Sequence, residues 1–265
     1  MTADLLLDST KMASFVARGF LRMDGIVPDD INRQFLDSVS ADAESLRKAD
    51  DPGSFHALLR SGSSVPVLPA GTSLEDAYDA ESPLGRIIHL PQVSGAIRSL
   101  VGPRCVLDHH FIHMTFPGRF SQSPASRVSQ HTHQDSTIDA RQAFDLQIMY
   151  FPHEVTADMG GTRFIPGTHL RIISESSISR YQNIRGQQSV VCPAGTLLFL
   201  HMGIWHGAGL NRSDQVRYMF KIRLCPTARQ HRLWDTSDLD ENHLRQRPIF
   251  WTHTGIERDP VHRTL

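Results

Sequence analysis

Hydrophobic residues recur with a helical period over the first hundred positions and with a strand period after them. Ser9 caps a short helix whose apolar residues Met12, Phe15 and Val16 share a face, and Gly19 stops it. Asp24-Gly25 marks a turn within residues 20–27. Pro28 opens a second helix in which Ile31, Phe35 and Val39 fall at i, i+4 and i+8, with Leu46 further along. Residues 60–83 begin RSGSSVPVLPAGTS and predict a loop. A third helix is predicted over 91–101, with Val93, Ile97, Leu100 and Val101 on one face and Gly102 closing it; Gly95 weakens that pattern.

Beyond residue 103 the pattern turns to short strands, expected at 105–116, 143–151, 162–166, 188–191, 196–200 and 216–224. Gly, Pro, Asn and Asp separate them, as in antiparallel sheets. The last strand alternates cleanly. Val216, Tyr218, Phe220, Ile222 and Leu224 lie on one face, and Arg217, Met219, Lys221 and Arg223 on the other. The fold class predicted is mainly β with flanking helices, as one domain over 1–265. Residues 1–102 form a helical flank, 103–225 a β core and 226–265 a C-terminal extension.

Composition removes several function classes. The chain has 265 residues and is 40% hydrophobic, so a globular core is expected. Its formal charge is −1, which gives no electrostatic case for nucleic acid or an anionic membrane. No apolar run is long enough for a spanning helix, and the N-terminus has no basic, apolar signal segment. Three cysteines without a CxxC argue against a disulfide framework and fit a cytoplasmic protein. Fe–S and zinc-finger spacings, a GxGxxG and a phosphate-loop lysine are all missing from the sequence. The 15 histidines, against 4 tyrosines, direct attention to metal ligation.

Two segments carry that chemistry. In QHTHQDS, His133 and Asp135 point the same way if the segment is extended, so both reach one ion; His131 has the same parity and is a rival. In WHGAGLNRSDQVR, a hairpin centred on Asn211 and Arg212 would set His206 directly opposite Arg217 on neighbouring strands. A metal-binding imidazole would then sit beside a guanidinium suited to a carboxylate. Two histidines and one carboxylate form a facial triad with open positions on Fe(II).

The chain resembles the phytanoyl-CoA dioxygenase family of Fe(II)/2-oxoglutarate oxygenases. The matching pieces are FVARGFLRMDGIVPDDI, His133-Gln134-Asp135, GGTRFIPGTH, PAGTLLFLHMGIWHGAGLN and Arg217. The resemblance implies a double-stranded β-helix, that is, a jelly-roll or cupin-like barrel. It implies His133, Asp135 and His206 as iron ligands and Arg217 as the clamp on the distal carboxylate of 2-oxoglutarate. Gln147, Met149 or Phe151 would stand where members often carry a tryptophan, and His113 and Thr115 would meet the other end of the cosubstrate. Arg141, Arg163, His109 and Trp205 are candidate substrate contacts. Ala208 departs from members with serine there, and the retained Asp135 argues against halogenation. The implied reaction is hydroxylation or another oxidation of a C–H bond in a small-molecule substrate. Dioxygen would be consumed, and succinate and CO2 released. The loops at 60–83 and 121–130 are the expected lids. The alternatives are a cupin-like metalloenzyme that does not use 2-oxoglutarate and a non-catalytic binding protein on the same barrel.

Overall fold

The computed structural model describes residues 5–49, 56–117, 130–135, 144–171, 173, 175–178, 184–228 and 233–239. Before the barrel come α1 (Ser9–Arg18), β1 (Phe20–Met23), α2 (Asp29–Ala49), β2 (His56–Leu59), α3 (Pro83–Ile88) and α4 (Pro91–Leu100). Then follow β3 (Cys105–Thr115), β4 (Gln130–His133), β5 (Leu146–Phe151), β6 (Thr162–Ile165), α5 (Glu175–Ile178), β7 (Gln188–Ser189), β8 (Thr196–His201), β9 (Trp205–Ala208) and β10 (Arg217–Pro226). The strands make two antiparallel sheets, a six-stranded one in the order β1-β8-β5-β10-β3-β2 and a four-stranded one in the order β4-β9-β6-β7. From β4 onward the chain passes from sheet to sheet at nearly every connection, which is the jelly-roll pattern. Among the described residues no helix is long and apolar enough to cross a membrane, and Cys105, Cys192 and Cys225 are free.

The larger sheet separates two apolar layers. Its outer face carries Ile148, Tyr150, Phe199, Phe220, Ile222 and Leu224, buried under Ile31, Phe35 and Val39 of α2 and Val93 and Ile97 of α4. Phe35 meets Tyr150 edge-on at 5.3 Å, and Asn32 accepts a 2.6 Å hydrogen bond from the Tyr150 hydroxyl. Burying these side chains supplies the main driving force, at roughly 1.5–3 kcal/mol each. The inner face meets the smaller sheet through Met149, Phe151, Phe164, Leu198, Leu200 and Met219. A bulge at Asp108 flips the parity of β3. Leu107 therefore pairs with outward Leu224, while His109, on the other side of the bulge, pairs with inward Arg223.

Four local expectations change. The cap of α1 is Asp8, whose carboxylate accepts the Lys11 amide hydrogen at 2.7 Å, while the Ser9 hydroxyl donates to Asp238 at 2.6 Å. Asp8 holds the extended backbone a cap needs, and Ser9 already lies in the first turn. Gly95 interrupts the pattern of α4 because a Cβ there would overlap the carbonyl of Leu5, which runs across the helix. Strands β1 and β2 and helix α3 were not expected. The two strands pair with segments far away in sequence, and the loop expected over 60–83 holds one short 3-10 turn, Leu74–Asp76. The fourth change is the hairpin between β9 and β10, which does not form: β9 pairs with β4 and β6, and β10 with β3 and β5. The side chain of Leu46 lies outside the described residues.

Candidate metal centre

β4 and β9 bring the metal-ligating side chains together. His133 pairs in register with His206, across a ladder that bulges between Gln130 and His133. Gly207 permits this approach: a Cβ there would press on the backbone oxygens of Gln130 at 2.8 Å and His131 at 3.0 Å. Arg163 braces the same place by donating to the carbonyls of Gln130 at 2.9 Å and Ala208 at 3.3 Å. The strand ends at His133, and the following bend carries Asp135 back toward it.

The ligand atoms of His133, Asp135 and His206 all lie within 4.8 Å of one another. Asp135 Oδ1 is 3.2 Å from His133 Nε2 and 3.3 Å from His206 Nε2. Each imidazole contacts a carbonyl oxygen through Nδ1: His133 that of His131 at 2.9 Å, and His206 that of Ile204 at 3.0 Å. With Nδ1–H donating, the Nε2 lone pairs are left for a cation. The rival His131 contributes its backbone only, and its side chain is exposed.

The second carboxylate oxygen of Asp135 is held by Lys221, which the alternation of the last strand sets on the same face as Arg217 and to which the sequence alone assigns no role. Lys221 is buried and also lies 5.5 Å from the centre of the Phe111 ring. Burial pushes the Asp135 carboxyl up, but His206, His133 and Lys221 outweigh it and hold it far below the usual carboxylate range. His133 shifts the other way: burial lowers it, and the bonds to Asp135 and the His131 carbonyl more than reverse that.

Arg217 reaches the same cavity from the opposite sheet. It is only 2% exposed. One guanidinium nitrogen donates to the Gly160 carbonyl and another to the Thr115 hydroxyl at 2.9 Å, while Nε has no partner among the described residues. Among the described residues no carboxylate pairs with it. Burial lowers its pKa to about 10, so it stays cationic at neutral pH. A buried cation with a free donor and no counter-anion is suited to a carboxylate ligand.

The cavity has a volume of about 340 Å³. Besides the triad, Arg217 and Lys221, its walls include Phe111, His113, Thr115, Met149, Ala208 and Met219. Of the three residues considered in place of a tryptophan, Met149 lines the cavity. Gln147 is fully buried one inward step along β5, outside the lining, and neither of its amide atoms has a partner among the described residues. His109 stacks in parallel on Phe111 and donates to Asp108 at 2.6 Å, outside the lining. Arg163 is spent on the brace. Trp205 points away from His206, into a small cluster with Ile165 and Ile178. Arg141 and residues 121–129 of the expected lid lie outside the described residues.

The comparisons agree with this architecture. The phytanoyl-CoA dioxygenase (PhyH) family profile matches residues 17–219. No curated protein matches the sequence. Among solved structures, EvdMO1 is 18% identical with a TM-score of 0.58 over 83% of this chain; the chain spans 50% of EvdMO1's length. The non-heme alpha ketoglutarate dependent carbocyclase SnoK from nogalamycin biosynthesis is 17% identical, with a TM-score of 0.58 over 91% of this chain and 92% of SnoK. HygX from Streptomyces hygroscopicus, with nickel and 2-oxoglutarate bound, is 13% identical, with a TM-score of 0.58 over 91% of this chain and 94% of HygX. HygX is also known with iron bound. With its jelly roll and a profile match over most of its length, the chain belongs to the phytanoyl-CoA dioxygenase family.

Proposed function

We propose that this protein is an Fe(II)- and 2-oxoglutarate-dependent oxygenase acting on a small molecule, with hydroxylation of an unactivated C–H bond as its reaction. One observation carries the reading: a two-histidine, one-carboxylate cluster and a buried arginine with no counter-anion among the described residues share one cavity. The donor set is that of non-heme Fe(II) oxygenases. Arg217, with Nε free and no carboxylate partner among the described residues, suits the distal carboxylate of 2-oxoglutarate. A metalloenzyme that does not use 2-oxoglutarate would have no use for such an arginine. HygX, similar in fold, has 2-oxoglutarate bound, and SnoK is a carbocyclase that depends on it.

On this reading His133 and His206 ligate through Nε2 and Asp135 through Oδ1. When bound, iron and 2-oxoglutarate supply dioxygen activation and the oxidising equivalents, with succinate and CO2 released. The rest falls to the chain. The carbonyls of His131 and Ile204 hold the tautomer of each histidine. Lys221 keeps the second oxygen of Asp135 turned away. Thr115 and Gly160 aim the guanidinium of Arg217. Phe111, Met149 and Met219 give the cavity apolar walls that limit water.

Calorimetric titration of 2-oxoglutarate into nickel-loaded protein tests this reading. One molecule should bind per chain, with affinity falling at least tenfold in Arg217→Ala. Metal-loaded wild type that does not take up 2-oxoglutarate contradicts the proposal.

A further inference from the structure

We propose that the substrate is an organic anion whose charged group, a carboxylate or its equivalent, pairs with Lys221. The inference rests on the reading above and follows from the charges that line the cavity. Asp135 is its only acidic lining residue among those described, and Arg217 and Lys221 are its two basic side chains besides the histidines. With the divalent metal and the dianionic cosubstrate in place, the metal and Arg217 together balance Asp135 and 2-oxoglutarate. Lys221 is then left over.

Such a residue is costly. Lys221 is 5% exposed, and the one carboxylate it pairs with among the described residues, Asp135, would be shared with the metal, so its burial is only partly compensated. Two further acids, Asp145 and Asp108, are already engaged around Arg223 of the same strand. Asp145 binds Arg223, with Nε to Oδ2 at 2.9 Å. Asp108 takes the His109 hydrogen at 2.6 Å and lies 3.8 Å from the same Arg223. Neither has an ion pair with Lys221 among the described residues.

The surroundings of Lys221 agree. Phe111 lies 5.5 Å from the ammonium of Lys221 and 5.0 Å from the guanidinium of Arg60. Arg60 is exposed and has no ion pair among the described residues. Two cations therefore converge on one aromatic ring of the cavity wall, which leaves a positive, partly apolar surface beside the metal ligands. Beyond it on the inward face, Gln147 offers a buried amide with no partner among the described residues. The geometry suits a molecule with an apolar body over Phe111 and Met149 and an anionic end at Lys221.

The test uses protein loaded with nickel and 2-oxoglutarate. Acetate, benzoate and 3-phenylpropionate are each titrated against their own amides, which match them in shape and differ in charge. At least one acid should bind tenfold or more tightly than its amide. The preference should fall to within about twofold in Lys221→Met and persist in Lys221→Arg, with 2-oxoglutarate titrated first on each variant to verify its metal centre. If Lys221→Met does not load metal, the wild-type panel and Lys221→Arg decide. No acid preferred over its amide, whether both bind equally or neither binds, overturns the proposal. So does an acid that acts by displacing 2-oxoglutarate, or a preference that survives in Lys221→Met. Failure of 2-oxoglutarate itself to bind the nickel protein instead counts against the underlying oxygenase reading.

Discussion

His133 and His206 stand opposite each other in register on neighbouring strands, with ring centroids 4.5 Å apart, each with Nδ1 at the carbonyl oxygen of the residue two places before it. The backbone contacts thus favour a hydrogen on each Nδ1 and leave each Nε2 facing Asp135 and the cation position. His206→Gln, which keeps the volume of this buried position, should weaken cobalt(II) binding by roughly 100-fold or more. Direct metal titration with circular dichroism as a folding control measures this. Unchanged affinity would remove His206 from the ligand set.

Arg217 depends on Gly160, whose carbonyl takes one guanidinium hydrogen and whose φ is 64°. A Cβ at Gly160 would overlap the backbone of Leu210. Arg217→Lys keeps the charge and loses the fork, so 2-oxoglutarate affinity should fall by about 2 kcal/mol, roughly thirtyfold in Kd. Gly160→Ala should lower the same affinity while leaving metal affinity nearly unchanged. Equal loss of both would mean that the substitution disrupts the barrel, not the clamp.

The sequence made legible whatever a local period can encode. The alternation over 216–224 put Arg217 and Lys221 on one face and Phe220 and Ile222 on the other, as the sheet has them. The i, i+4, i+8 spacing of Ile31, Phe35 and Val39 marked the buried stripe of α2. Pairing was not legible in this way. A hairpin was expected to make His206 and Arg217 direct neighbours, yet consecutive strands of a jelly roll enter opposite sheets. The two residues meet at one cavity from opposite sides. Lys221 went without a role because its partner Asp135 lies far away in sequence. Gly95 and Gly207 become intelligible only through the chain segments that press against them.

Gly95→Ala tests that reading of close packing. Inside a helix the change should stabilise by about 0.5–1 kcal/mol. The new methyl group, however, meets the backbone of Leu5, where overpacking costs about 1–3 kcal/mol. The net expectation is a lower urea midpoint. A raised midpoint would mean that the segment around Leu5 yields freely.

His201 makes stability depend on acid. Burial, helped by neighbouring His169, lowers its pKa to about 4, and Nδ1 accepts the Gly203 amide hydrogen at 3.0 Å. The folded pKa lies below the ordinary value of 6.5, so the unfolded chain binds more protons between the two. The stabilisation is full above pH 6.5 and is lost as pH falls toward 4. Each pKa step is worth about 1.4 kcal/mol, and partial exposure of the ring trims the total to about 2 kcal/mol. Chemical denaturation of wild type and His201→Gln from pH 7 to pH 4 should show the variant with the shallower decline. Parallel curves would contradict this assignment.

The most direct test of the central claim is anaerobic addition of Fe(II) and then 2-oxoglutarate, followed by visible absorption. The account predicts a weak charge-transfer band from chelation at the metal, reduced in both Asp135→Ala and Arg217→Ala. Wild-type protein that binds iron and shows no band on saturation with 2-oxoglutarate would contradict it.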